Sequence, residues 1–166
     1  SKGLEATVYW QPRDYTYPYS ANVATVLVDR DNGVVKLTGY IAVDDFGTVI
    51  NPMIVDGQVH GGLAQGIGAA LWEEAVYDPS GQMVTGSFMD YAMPKASQLP
   101  DFTLDRLVTA TQLNPLGAKG MGESPTVAAT PAVVNAVVDA LSPFGISHLD
   151  MPLTPEKVWR AIQDAG

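Results

Sequence analysis

Gly117-Ala118-Lys119-Gly120-Met121-Gly122-Glu123-Ser124 is the stretch on which the fold turns, because it joins extended sequence to helical sequence. Three glycines and a lysine lead to a single acid, and Pro125-Thr126-Val127-Ala128-Ala129-Thr130-Pro131 follows at once. Glycine serves where backbone needs φ > 0 or must come close to something. The loop delivers one carboxylate, Glu123, to the mouth of a helix. Taken alone, it fits a site built on that carboxylate or a tight surface turn between strand and helix. Two phosphate-binding readings fail. The P-loop needs a lysine directly before Ser or Thr at the helix start, but here Glu123 precedes Ser124 and Lys119 comes earlier. The dinucleotide fingerprint is G-x-G-x-x-G with a ribose-binding acid about 20 residues on, and the spacing here is G-x-x-G-x-G. A carboxylate in the loop would also repel a phosphate.

Downstream, Thr130 with Pro131 reads as a helix cap and first position, with an apolar stripe of Val134, Val137, Val138 and Leu141 ending at Ser142-Pro143-Phe144-Gly145. Thr154-Pro155-Glu156 repeats the start signal, and Val158, Trp159 and Ile162 predict a short closing helix. Upstream, residues 103–111 alternate and predict a strand, and Asn114-Pro115 leads into the loop. Residues 57–75 have helical spacing, with Val59, Leu63, Ile67, Leu71 and Ala75 recurring and Ala70 alongside. That segment carries Gly57, Gly61, Gly62, Gly66 and Gly68, each costing about 1 kcal/mol against alanine in a helix interior. Such a load implies close approach by another element or a ligand. Gln58, His60, Gln65, Glu73 and Glu74 on the same segment exclude a membrane span. His60 and His148 read as structural hydrogen-bonders, and no metal-ligand set is visible.

Towards the start, residues 3–10 predict a short strand with Val8 and Trp10 on one face. Tyr15, Tyr17 and Tyr19 alternate and read as core-edge packing. Residues 22–28 and 34–43 predict a strand and its return across the Asp31-Asn32-Gly33 turn. Asp44-Asp45-Phe46-Gly47 turns the chain again, Asn51-Pro52 marks a loop, Asp78-Pro79-Ser80-Gly81 a type I turn, and residues 83–93 are mixed. The class is α+β: a hairpin-rich mixed sheet covered by two longer helices.

The 166 residues suit one domain, 1–166, with an ordinary core. A net charge of −9 argues against nucleic acid and anionic membrane surfaces. No cysteine is present, so no disulfide, thiolate metal site or iron–sulfur ligand arises in this chain. No signal-peptide layout and no apolar run of about 18 residues is evident, and a cytoplasmic location is expected. The chain opens at Ser1 without methionine, which suggests a piece of something longer.

VDDFGTVINPMIVDGQVHGGLAQGIGAALWEE (43–74), DYAMPKASQLPD (90–101), NPLGAKGMGESPTVAATPAVVNAVVDAL (114–141) and MPLTPEKVWRAI (151–162) together resemble the carboxyl end of molybdenum hydroxylase large subunits. These are the relatives of xanthine dehydrogenase, aldehyde oxidase and carbon monoxide dehydrogenase. The pairing of GQVHGG…QGIG with GAKGMGES carries the resemblance. It implies a molybdopterin-binding domain of the aldehyde oxidase/xanthine dehydrogenase type and an oxidoreductase using a water-derived oxygen on aldehydes, N-heterocycles, purines or carbon monoxide. Glu123 then corresponds to the active-site base beside molybdenum, a role suited to a carboxylate that binds no metal itself. Gln58 corresponds to a pterin-bonding glutamine, whose amide offers both donors and acceptor. Gly120, Met121 and Gly122 would let the loop approach the cofactor, and Lys119 would serve Glu123 or the substrate electrostatically. Gln65 is left as a supporting residue. The resemblance further implies molybdopterin with molybdenum, the cytosine dinucleotide being one form open to it, shared with an upstream part of the subunit. Iron–sulfur clusters and FAD would sit on other domains or subunits. The chain alone would be inactive. The alternative is a non-catalytic binding or assembly module that keeps the fold.

Overall fold

The computed structural model describes residues 3–166. Asp29, Asn32 and Gly33 close the first hairpin: the Gly33 N–H donates to the Asp29 carbonyl at 2.7 Å, and the Asn32 amide to the Asp29 carboxylate at 2.7 Å. The hairpin joins β1 (Tyr19–Val28) to β2 (Val35–Asp45), antiparallel, with a bulge at Thr25/Val26. β3 (Phe102–Leu107) lies parallel on the other side of β2, from Tyr40↔Phe102 to Asp45↔Leu107. The sheet is therefore mixed, in order β1-β2-β3. Because β2 and β3 are parallel, their carboxyl ends reach the same edge, where the glycine-rich loop sits.

Two longer helices, α1 (Pro52–Leu71) and α2 (Ser124–Leu141), lie against one face of this sheet, and a shorter α3 (Pro155–Ala165) completes the core. The expected stripe of α1 is buried at Val59, Leu63, Ile67, Ala70 and Leu71. Each fully buried Leu or Ile contributes about 1.5–3 kcal/mol. Ala75 lies beyond the helix and is exposed. The buried stripe of α2 is Ala129, Val133, Val137 and Leu141, one residue out of phase at its start from the expected one. From β2 come Leu37, Tyr40 and Ala42, from the turn after it Phe46, and from α3 Val158 and Ile162. The opposite face of the sheet leaves Tyr19, Val23, Leu27, Ile41 and Leu107 exposed.

Several sequence expectations are corrected. α1 begins at Pro52 because Asn51 caps it, its side chain accepting from the Ile54 N–H at 3.2 Å, so Asn-Pro is a helix start here and not a loop. α2 begins at Ser124, with Pro125 in its first turn, and Pro131 lies inside the helix. An interior proline removes the bond to the carbonyl four residues back. That carbonyl belongs to Val127, and both residues lie on the exposed side of the helix. Thr130 is not a cap: its hydroxyl donates to the Gly66 carbonyl of α1 at 3.1 Å. Residues 3–10 form no strand, and Val8 and Trp10 are exposed. Tyr15, Tyr17 and Tyr19 are likewise exposed and do not pack on the core edge. By length and composition the stretch Ser124–Phe144 passes as a membrane span, contrary to the sequence reading. Its stripe is nevertheless the interior of this fold.

Candidate active site

The glycine-rich loop is pinned along its first half. Gly117 accepts from the Thr48 N–H at 2.9 Å and from Thr111 at 3.2 Å. Ala118 forms a bridge with Gly47, and the Asn114 amide brackets it, donating to its carbonyl at 2.8 Å and accepting from its N–H at 3.2 Å. The Lys119 N–H donates to the Phe46 carbonyl at 2.8 Å. Gly47 and Gly117 both have positive φ, and a side chain on Gly47 would run into the Gly117 carbonyl at 2.2 Å. Glycine is required there by conformation and by space.

Beyond Lys119 the loop opens. Gly120 donates to the Thr16 hydroxyl at 3.3 Å, and Gly120 and Gly122 have open space where a side chain would project. Glu123 stands at the cap position of α2, exposed. Its carboxylate does not cap the helix and takes part in no hydrogen bond or ion pair among the described residues. Gly120, Met121, Gly122 and Glu123 line a cleft of about 570 Å³, which the loop shares with Thr16, Tyr17, Ser20 and Val127. Met121 is half-buried and packs back on the core. Under the cleft a polar chain runs through the sheet. The Tyr40 hydroxyl donates to Asn22 at 2.8 Å, Asn22 to Ser20 at 2.5 Å, and Ser20 to Asp44 at 2.6 Å. Burial raises the Asp44 carboxyl above its ordinary range, against the Ser20 hydrogen bond and the Arg106 charge.

Gln58 lies outside the lining of this cleft, on an exposed face of α1. The helix packing shows where that face points. The Thr126 hydroxyl donates to the Gly62 carbonyl at 3.0 Å and the Thr130 hydroxyl to the Gly66 carbonyl at 3.1 Å. The contacts advance in the same direction along both helices, so α1 and α2 run parallel. One turn back from Gly62 is Gln58, and one turn back from its contacts is the loop at Met121–Gly122. Gln58 and Glu123 therefore belong to the same end of the helix pair. Gly57 and Gly61, on this part of α1, face open space. Gln65 holds the helices together, accepting from Thr126 at 3.2 Å. The His60 ring bonds the Asp56 carbonyl at 2.8 Å, and His148 sits beside Asp150 at 3.0 Å.

Lys119 does not pair with Glu123. Its ammonium lies 3.2 Å from Asp45, with its side chain 6% exposed, and 4.6 Å over the ring of Tyr19. The reason is proximity: the bridge to Gly47 brings the lysine to the end of β2. Asp45 escaped the sequence reading. Its Oδ1 also accepts from the Gly47 N–H at 2.8 Å and the Thr109 N–H at 3.1 Å. Burial pushes its carboxyl up, but these bonds together outweigh burial and hold it well below the usual carboxylate range. A depressed carboxyl lends stability that is present above its unfolded value, about 4, and is lost as pH falls from there. Asp44, raised, works in the opposite sense. We expect the stability difference between the unsubstituted protein and Asp45→Asn to be full near neutrality and to shrink as pH drops below about 4. Thermal unfolding across pH 3–7 checks it; a difference that grows on acidification refutes it. The cleft-lining Thr16, Tyr17 and Ser20 were also missed, since nothing in their local pattern points to a loop about 100 residues away.

Comparison with known proteins agrees with this architecture. The family model for the molybdopterin cofactor-binding domain matches residues 1–100. The carbon monoxide dehydrogenase large chain of Hydrogenophaga pseudoflava is 41% identical over 162 residues, covering 98% of this chain and 20% of that protein. The nicotine 6-hydroxylase large subunit of Paenarthrobacter nicotinovorans is 43% identical over 159 residues, covering 96% and 20% respectively. Carbon monoxide dehydrogenase from Oligotropha carboxidovorans superimposes with a TM-score of 0.92 at 40% identity, over 96% of this chain and 20% of that one. The chain spans about a fifth of the length of the curated relatives it matches. With sequence matches and superposition running through the glycine-rich loop and both helices, the chain belongs to the molybdopterin cofactor-binding domain family of molybdenum hydroxylase large subunits.

Proposed function

We infer that this chain is one carboxyl-terminal subdomain, 1–166, of a longer molybdenum-binding subunit, and that it supplies the active-site base and part of the molybdopterin cradle. The observation that carries the reading is Glu123: exposed, without a side-chain partner among the described residues, and preceded by two glycines open to a cleft. A carboxylate left unbonded in a pinned loop is free to take a proton from something that enters. The residues fit a pterin group. Gly120 and Gly122 leave room for close approach to the loop, and Gly57 and Gly61 leave the adjoining face of α1 open. Gln58 is exposed there with all its amide hydrogen-bonding capacity unspent on the helix.

The chemistry a bound molybdenum–pterin group supplies is two-electron oxidation of a substrate carbon with an oxygen derived from water. The chain's own residues do the rest. Glu123 accepts, at a carboxylate oxygen, the proton that the water-derived oxygen gives up as it attacks. Met121 backs the loop against the core, and the Gly47–Ala118 bridge holds it to the sheet. Gln58 bonds the pterin edge through its amide. Carbon monoxide and nicotine figure in the names of relatives, and we place the substrate here among aldehydes, N-heterocycles, purines or carbon monoxide. The upstream part of the subunit completes the cradle, iron–sulfur and flavin subunits carry the electrons away, and the assembly is cytoplasmic.

The reading is tested by measuring molybdenum and pterin in the purified chain and in the chain co-expressed with the upstream part. Cofactor in the pair alone supports a shared cradle. Cofactor in neither favours a non-catalytic assembly module. Within the pair, Gln58→Ala is expected to lower bound pterin several-fold, in keeping with loss of about 1–1.5 kcal/mol from one hydrogen bond, without moving the unfolding temperature. Unchanged pterin content removes Gln58 from the cradle.

A further inference from the structure

We propose that the buried Asp45–Lys119 pair is the anchor that sets the position of Glu123, making both positioning residues for the reaction. The inference rests on the reading of Glu123 as the base, but its structural half can be judged separately. The loop has a fixed part and an open part, and Lys119 is the boundary. Up to Lys119 the backbone is tied by the Gly117 carbonyl, the bridge at Ala118 and the Lys119 N–H. After it come Gly120 and Gly122, with no contact where side chains would project, before α2 takes over at Ser124. Two glycines give the backbone wide freedom, so the carboxylate is located chiefly by what holds the two ends of this short span, with the Gly120 N–H bond to Thr16 and the packing of Met121 between them. α2 holds one end. Lys119 holds the other, and its side chain is committed inward.

Asp45 is built as a receptor for that ammonium. It is 6% exposed, at the end of the central strand, where one carboxylate oxygen gathers the Gly47 N–H, the Thr109 N–H and the Lys119 ammonium. The first donor follows β2 and the second follows β3, so the anchor ties the glutamate loop to the carboxyl ends of both parallel strands. Tyr19, at the start of β1, covers the ammonium from the other side. All three strands thus converge on Lys119. Breaking a buried pair by deleting one partner leaves an uncompensated charge. A loop so released would shift, and displacement of about 1 Å at a reacting group costs on the order of 100-fold in rate.

The test uses the full subunit in its assembled, cofactor-loaded enzyme, with four variants: Lys119→Met, Asp45→Asn, the pair Asp45→Asn with Lys119→Gln, and Glu123→Gln. Three quantities are read: kcat and KM across pH, bound molybdenum and pterin, and amide hydrogen exchange of the peptide spanning residues 117–123. For Lys119→Met we expect kcat to fall about 100-fold, with KM, cofactor content and the acid limb of the pH profile unchanged, and faster exchange in that peptide. Asp45→Asn combined with Lys119→Gln replaces the pair by a neutral hydrogen bond without a stranded charge, so it should recover most of kcat and protection. Four results overturn the anchor: unchanged exchange in Lys119→Met, near-normal kcat in Lys119→Met beside a dead Glu123→Gln, a shifted acid limb, or a double variant as poor as the single. A shifted limb would mean that the ammonium acts on the base through space. If Glu123→Gln stays active, the base reading fails, and the exchange data alone then decide whether the loop is anchored here.

Discussion

Glu123→Gln in the cofactor-loaded subunit is expected to lower kcat by about 10²–10⁴-fold, the usual contribution of a positioned general base, while molybdenum and pterin content and unfolding temperature stay at their unsubstituted values. The geometry makes the expectation sharp. Glu123 is exposed, makes no internal hydrogen bond or ion pair among the described residues, and does not cap α2. Nothing in the fold is lost when its carboxylate becomes an amide of the same shape, and surface substitutions of this kind stay within about 0.5 kcal/mol. The lost property is the ability to take a proton. Steady-state turnover with metal and pterin assays on the same preparation reads the outcome. Near-full activity would remove Glu123 from the chemistry, and loss of cofactor along with activity would make it a cradle residue instead.

The periodic parts of the fold were legible in the sequence. Val59, Leu63, Ile67 and Leu71 recur at a helical interval because one face of α1 must be buried, and that face is buried. The Asp31-Asn32-Gly33 turn and the Thr154-Pro155 start stand where local chemistry places them. What failed were choices between equal local signals. The helix start reads at Thr130-Pro131, yet Ser124-Pro125, six residues earlier, carries the same hydroxyl-then-proline pattern and is the start the structure uses. Only the packing of Thr126 and Thr130 on glycine carbonyls of α1 shows that the helix already runs at Thr130. Asn51-Pro52 reads as a loop, and the structure makes it the capped start of α1. The glutamate and its glycines could be picked out because the loop is contiguous. Asp45 could not, because its meaning comes from Lys119, 74 residues away, and from a parallel pairing of β2 with β3 that no local pattern announces. Two successive acids at the end of a strand were the available hint: alternation must turn them to different sides, and here both are buried with partners.

Glycine substitutions along α1 are expected to split in sign. A side chain at Gly66 would meet the Ala129 side chain at 2.6 Å and the Thr126 carbonyl at 2.8 Å. Backbone there cannot swing aside as a flexible side chain can. Gly66→Val should therefore cost about 3 kcal/mol, the upper part of the overpacking range, and Gly66→Ala rather less, because alanine recovers about 1 kcal/mol of helix propensity. Gly57 and Gly61 meet nothing within 4 Å. With no clash to offset it, Gly57→Ala and Gly61→Ala should each stabilise the cofactor-free subunit by about 1 kcal/mol. The same residue type in the same helix thus answers two different demands: Gly66 lets α2 approach, and Gly57 and Gly61 keep a face clear that the protein itself does not fill. If that face belongs to the pterin cradle beside Gln58, the two stabilising alanines should also reduce cofactor content. Thermal unfolding of the cofactor-free variants, set beside their pterin content after loading, separates the two demands. Destabilisation by Gly57→Ala or Gly61→Ala would mean that another element of the subunit packs there, and stabilisation with full cofactor content would take this face of α1 out of the cradle.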